Sequence, residues 1–275
     1  MYKRLLTIQD VSCVGQCSAT VALPVVSACG VECAVLPSAV LSNHTGGFTG
    51  WTFRDLTDEM AKIESEWVRQ GIGFDAFYTG YVCPAQIAPI LSIMAHCANP
   101  GAIRVVDPVM ADNGKLYPGF DADFPKQMAR LCAGADYLLP NLTEAALLLG
   151  EKPVLEGYDR AFVEHLVAGL HGLGAKHVVL TGVSFDAGLL GSAVSDGARI
   201  AYDFNPRLAR VSHGTGDVFA SAFAGSVLRG LSPLDAAALA ADVVCRAIAC
   251  TDDAHWYGVA FERALPELVD RLRNV

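Results

Sequence analysis

Two glycines and an aspartate in the run His213-Gly214-Thr215-Gly216-Asp217 open directly into the small-residue, apolar stretch Val218-Phe219-Ala220-Ser221-Ala222-Phe223-Ala224-Gly225. Glycine lets a backbone turn sharply and brings its N–H groups close to a ligand. The first turn of the following helix leaves N–H groups unpaired at the positive end of its dipole, which suits phosphoryl oxygens. Asp217 is then a poor ligand for an anion but a good proton acceptor for a hydroxyl that attacks phosphate. The structural alternative is an ordinary helix start capped by Thr215 or Asp217.

Three further segments carry chemistry-bearing side chains. Asp107-Pro108-Val109-Met110-Ala111-Asp112-Asn113-Gly114 follows an apolar run, holds two carboxylates and is stiffened by its proline. Hard oxygen donors of this kind suit Mg²⁺ held through water and substrate phosphates. The structural alternative is an Asx turn at Asp107 followed by a surface Asp-Asn-Gly turn at Asp112. Pro140-Asn141-Leu142-Thr143-Glu144 has the spacing of a capping box, with Asn141 as cap and Glu144 three residues on. The same pair could face a cleft and orient metal-bound water or phosphate. In Asn43-His44-Thr45-Gly46, His44 could contact a substrate or satisfy a loop carbonyl. A Gly-x-Ser-x-Gly elbow and a Walker A sequence are both absent.

The elements that must position these residues alternate. Strands are expected at Leu5 to Ile8, Val31 to Pro37, Phe74 to Thr79, Ile103 to Val106, Tyr137 to Leu139 and His177 to Leu180. Gly188 to Ser195 and Arg199 to Phe204 read as a hairpin turning at Asp196-Gly197. Between them lie helical stretches at Ser18 to Ala28, Asp55 to Gln70, Pro84 to His96, Phe124 to Cys132, Thr143 to Leu149 and Arg160 to Leu173. Three more helices close the chain, from Asp217 to Arg229, Pro233 to Cys250 and Val259 to Leu272. Short strands alternating with long helices argue for a mainly parallel sheet covered on both faces. Ligands bind beyond the carboxyl ends of such strands, which picks out Asp10, Gly80-Tyr81, Asp107, Asn141 and Thr181-Gly182. No linker divides the 275 residues, so residues 1–275 are read as one domain.

A net charge of −9 without basic runs argues against nucleic acid as a partner. Mean hydropathy is positive. Even so, the apolar stretch from Ala19 to Val31 is too short to span a membrane and contains Pro24 and Gly30. Nine cysteines, an odd number with no paired spacing, fit a reducing cytoplasm rather than a disulfide or zinc framework.

In order and spacing, Ser42-Asn43-His44-Thr45-Gly46, Thr79-Gly80-Tyr81, Val106-Asp107-Pro108-Val109-Met110, Pro140-Asn141-Leu142-Thr143-Glu144 and Gly214-Thr215-Gly216-Asp217 resemble the ribokinase-like superfamily of small-molecule kinases, and within it the vitamin B6 kinases. The resemblance implies a three-layer α/β/α sandwich with a mainly parallel central sheet, often homodimeric. It implies that Asp217 is the catalytic base and that the amides of Gly214, Thr215 and Gly216 hold the transferring phosphoryl group. Asn141 and Glu144 match the element that places Mg²⁺ and phosphate, with Asp107 a strand-end acid near metal and phosphates. Thr181 and Gly182 match an ATP-contacting segment, and Thr45 and Tyr81 match positions lining a pyridine pocket. ATP, Mg²⁺ and a monovalent cation such as K⁺ are the implied cofactors.

The pattern is broken in three places. Asp10 stands where such kinases usually carry a ring-contacting serine, and a carboxylate there could pair with a protonated ring nitrogen or bond a ring hydroxyl. Gly47 replaces an aromatic residue that Phe48 or Trp51 could supply, and His213 precedes the anion hole. The implied reaction is ATP-dependent phosphorylation of the 5′-hydroxymethyl group of pyridoxal, pyridoxine or pyridoxamine. The alternatives are a hydroxymethylpyrimidine or other small-alcohol kinase and a non-catalytic nucleotide- or pyridoxal-binding regulator.

Overall fold

The computed structural model describes residues 2–210, 212–273 and 275. Contacts divide the chain into two compact units, Met1–Ala102 with Leu208–Val275, and Ile103–Arg207. The first begins with β1 (Arg4–Ser12), α1 (Ala19–Ala28), β2 (Glu32–Leu41), β3 (Phe53–Asp55), α2 (Thr57–Gln70), β4 (Phe74–Thr79) and α3 (Ile87–His96). Its strands are ordered β4-β1-β2-β3, with only β3 antiparallel. Leu5, Leu6 and Ile8 of β1 are fully buried, as expected of a parallel strand covered on both faces. Each contributes about 1.5–3 kcal/mol of transfer free energy.

The chain enters the second unit along β5 (Ala98–Val106) and continues through β6 (Ala111–Asp112), β7 (Lys115–Leu116), α4 (Phe124–Cys132), β8 (Tyr137–Leu138), α5 (Leu142–Leu148) and α6 (Arg160–Gly172). β9 (His177–Val183), β10 (Leu189–Ser195) and β11 (Ile200–Pro206) complete it. β8 pairs in parallel with β5 and β9, while β10 and β11 add antiparallel. The last helices, α7 (Thr215–Arg229), α8 (Pro233–Ala249) and α9 (Leu265–Leu272), belong to the first unit, where α7 packs on both α1 and α8. Gly225 permits that approach, because a Cβ there would overlap the Cys29 thiol. The fold class is the three-layer α/β/α sandwich with a mainly parallel sheet that the sequence implies.

Several boundaries differ from the sequence reading for identifiable reasons. β1 runs to Ser12 because its pairing with β2 continues to Leu41, so Asp10 lies within the strand rather than after it. Thr181 and Gly182 likewise lie inside β9. β3 and the β6–β7 ribbon were not expected, since each is only two or three residues long. The expected helix from Val259 is instead a 3-10 turn, Phe261–Arg263, followed by α9; Pro266 lacks the N–H of a helix interior and is tolerated in a first turn, where α9 places it. Four residues, one more than the expected bounds leave, join β10 to β11, and Asp196 Oδ1 accepts the N–H groups of Ala198 and Arg199 at 2.9 and 2.8 Å. No helix among the described residues is long and apolar enough to cross a membrane.

Candidate active site

In the first unit, β2 carries one more residue than β1 between the pairs Gln9–Pro37 and Val11–Val40. Such an irregularity bends a ladder and re-aims nearby side chains, and Asp10 sits opposite it. Its residue is only 4% exposed, and Ser12 Oγ donates to Oδ2 at 2.8 Å. Burial pushes the Asp10 carboxyl above its ordinary range, while the Ser18 and Ser12 hydroxyls pull it back.

Asp217 lies in the first turn of α7, after an N-cap, Gly214, with φ of 80°. Neither Thr215 nor Asp217 caps the helix, since α7 begins at Thr215 and its N-cap makes no side-chain hydrogen bond. The conformation at Gly214 suits glycine, and a Cβ there would overlap the Gln16 carbonyl. The loop before α1 is thereby seated on the loop before α7. The Asp217 carboxyl is pushed up to about 7, chiefly by burial and further by the negative charge of Asp10, against the Ser18 N–H. That value is well suited to a general base working near neutral pH. Cys17 lies among the same groups, and burial with the charges of Asp217 and Asp10 holds its thiol protonated.

The loop from Asn43 to Phe48 folds around His44, which is 5% exposed. Gly46 N–H donates to His44 Nδ1 at 3.0 Å, and His44 Nε2 donates to the Tyr257 carbonyl at 2.6 Å. Both ring nitrogens are therefore used by backbone groups, and burial holds the ring below its ordinary pKa. Thr45 is exposed on this loop. A Cβ on Gly46 would come within 2.6 Å of His213 Nδ1, and one on Gly47 within 3.3 Å of Trp256. Phe48 packs on Trp256 with ring centroids 4.8 Å apart. Trp256, rather than Trp51, is thus the aromatic ring beside Gly47. Tyr81 is half-buried after β4, and burial, Cys83 and the charge of Asp10 raise its hydroxyl pKa.

In the second unit, Asn141 and Glu144 form the capping box of α5. Asn141 Oδ1 accepts the Glu144 N–H at 2.9 Å, and Glu144 Oε2 accepts the Asn141 N–H at 3.0 Å. Glu144 Oε1 also accepts the Met110 and Ala111 N–H groups at 3.1 and 3.4 Å, so this carboxyl ties α5 to the segment after Asp107. Burial raises its pKa despite these donors. Asp107 is 8% exposed, and the Cys132 thiol faces the charges of both Glu144 and Asp107. Asp112 instead ends β6, exposed, accepting the Asn113 N–H of the β6–β7 turn at 2.8 Å. Thr181 N–H donates to the Pro140 carbonyl at 2.9 Å. Gly182 is the extra residue of a bulge against β10, with φ of 76°.

Ser12, Ser18, Trp256 and Tyr257 join the first cluster without having been singled out in the sequence. The aromatic run His255-Trp256-Tyr257 ahead of Gly258 was the available signal for the last two.

A model of the phosphomethylpyrimidine kinase family matches residues 22–258. The chain belongs to that family. It is an ATP-dependent kinase of ribokinase-like fold that phosphorylates a small hydroxymethyl-bearing B-vitamin precursor. Similar solved structures include a putative phosphomethylpyrimidine kinase from Bacteroides thetaiotaomicron, crystallised with pyridoxal. That protein is 33% identical, with a TM-score of 0.91 over 98% of this chain and 96% of its own. Pyridoxal kinase from Lactobacillus plantarum is also 33% identical, with a TM-score of 0.90 over 100% and 99% of the two chains. Pyridoxal kinase of Dictyostelium discoideum is 26% identical over 253 residues, 83% of this chain and 80% of its own length.

Proposed function

We propose that this kinase transfers the γ-phosphoryl group of ATP to the hydroxymethyl group of a hydroxymethylpyrimidine, with Asp217 as the base. The setting of Asp217 carries the reading: a half-buried residue whose carboxyl is pushed up to about 7, in the first turn of a helix behind Gly214, Thr215 and Gly216. The family match over residues 22–258 favours the pyrimidine substrate.

In this reading the alcohol approaches the phosphoryl group in line, and Asp217 removes its proton late in the transfer. The amides of Gly214, Thr215 and Gly216 stabilise charge on the equatorial oxygens. Asp10 accepts a hydrogen bond from the ring or a ring substituent, while Thr45 and Tyr81 line the ring pocket and His44 shapes the loop that carries Thr45. Thr181 and Gly182 contact the nucleotide. The carboxylates of Asp107 and Glu144 are hard oxygen donors of the kind that fits Mg²⁺, which takes one or two protein oxygens besides phosphates and water. Asp107 would hold it directly and Glu144, braced by Asn141, through water, supplying charge neutralisation on the phosphates. A monovalent cation such as K⁺ and a homodimeric assembly complete the proposal by resemblance.

Pyridoxal, with pyridoxine and pyridoxamine, is the second reading. It is favoured by the Ser42-Asn43-His44-Thr45-Gly46 loop and by the pyridoxal-bound relative from Bacteroides. A coupled ADP-release screen over hydroxymethylpyrimidine and the three B6 vitamers, with Mg²⁺ and with or without K⁺, decides between them. ADP is expected only when an alcohol is added, with the highest kcat/KM for hydroxymethylpyrimidine. A higher value for pyridoxal selects the second reading, and ATP binding without alcohol-dependent turnover overturns both. Asp217→Asn is expected to lower turnover roughly 10²–10⁴-fold while sparing ATP affinity.

A further inference from the structure

Among the described residues, only Ser18 and Asn113 combine a side chain with positive φ. Asn113 turns the β6–β7 ribbon, where a tight hairpin asks for that conformation. Ser18 has no such excuse. Its φ of 53° and ψ of −137° lie where glycine moves freely and other residues are held only by their surroundings. It is 7% exposed. As N-cap of α1 its carbonyl accepts the Val21 and Ala22 N–H groups at 3.0 and 2.9 Å. Its hydroxyl makes no capping bond, although serine is among the best capping residues. That hydroxyl is directed to Asp10, and the Ser18 N–H to Asp217.

The neighbouring packing accounts for this conformation. The Gln16 carbonyl fills the space beside Gly214, and the Thr20 hydroxyl donates to the Cys17 carbonyl at 2.7 Å. Gln16 thus lies against the start of α7, and Cys17 is tied to the first turn of α1.

We propose that Ser18 is a positioning residue: its constrained backbone keeps one donor on Asp217 and one on Asp10, holding the base and the ring-contacting carboxylate in a single arrangement. This rests on the reading of Asp217 as the base. The groups facing Asp217 are Asp10 from β1 and Cys17 with the Ser18 N–H from the segment before α1. Asp10 in turn faces His44 and Tyr81.

Steady-state kinetics across pH and thermal melting of Ser18→Ala, Ser18→Gly and Asp217→Asn test the proposal. Alanine keeps the N–H and the constrained backbone but lacks the hydroxyl. KM for the alcohol is expected to rise about fivefold to tenfold, with kcat within about twofold, as for a weakened hydrogen bond to a charged group. Glycine also frees the backbone. The kcat is then expected to fall about tenfold, and the acid limb of kcat to move up by about half a pH unit as Asp217 loses the donor that favours its charged form. The melting temperature of Ser18→Gly should equal or exceed that of Ser18→Ala; if it is lower, the KM-against-kcat split of the alanine variant decides. Both Ser18 variants matching the parent in kcat, KM and acid limb, while Asp217→Asn abolishes turnover, overturns the positioning role alone. Near-normal turnover in Asp217→Asn removes the base, and the proposal with it.

Discussion

Asp217 works against the stability of the chain that carries it. Its carboxyl titrates at 3.8 in the absence of the fold and at about 7 within it. Between these values the folded state keeps a proton that the unfolded state has released. Its contribution is therefore complete below about pH 4 and lost as pH rises to about 7. Asp217→Asn abolishes that dependence. Urea denaturation should find the variant more stable than the parent at pH 8 by about 2–4 kcal/mol, the difference shrinking toward zero near pH 4. The parent's kcat should rise with pH through about 7 as the base form is populated. At this scale the sequence was legible where residue type carries the meaning: Asp217 beside glycines, and Asn141 three residues before Glu144. Ser18 was not legible, because its distinction is a backbone angle that serine does not announce. His44 was legible as an important residue, but only its two backbone partners define what its ring nitrogens do.

Helix α7 carries both the proposed base and the closest helix approach described above, and one glycine sets that approach. Gly225→Ala is expected to destabilise the fold by about 1–3 kcal/mol through overlap with the Cys29 thiol. Cys29→Ala in the same chain should recover part of the loss, a non-additivity that denaturation of the double variant measures. Helix α5 depends on its cap instead. Asn141→Ala removes the acceptor for the Glu144 N–H and the donor to the Ala111 carbonyl at 2.8 Å. The expected cost is about 0.5–2 kcal/mol in the same assay. Long periodic helices and buried strands were readable from the sequence because burial imposes their patterns. Short pieces such as β3 and the β6–β7 ribbon were not, since their existence depends on the strand or turn beside them. The register irregularity opposite Asp10 was equally hidden, because it is a property of two strands compared.

Across the whole molecule, the nine cysteines are unequally sheltered. Cys13 is exposed, whereas Cys29, Cys97 and Cys132 are buried. A chromogenic disulfide reagent should label Cys13 of the native protein first and reach those three only on unfolding, as mass spectrometry of the labelled peptides would show. Composition and the alternation of short strands with long helices made this scale readable in outline, as an acidic α/β protein rich in apolar residues. It could not reveal that the unit carrying Asp217 is assembled from two separated stretches of chain, residues 1–102 and 208–275. That division has a consequence for biosynthesis. While the ribosome is still extending the chain, residues 103–207 emerge as one continuous stretch whose strands and helices can find one another at once. α1 emerges earlier, beside β1 and β2, and must wait for its other neighbour until α7 has been made. The loop proposed to receive phosphate is therefore among the last parts to take shape, and a chain stalled before residue 208 would hold a waiting apolar helix rather than an idle enzyme.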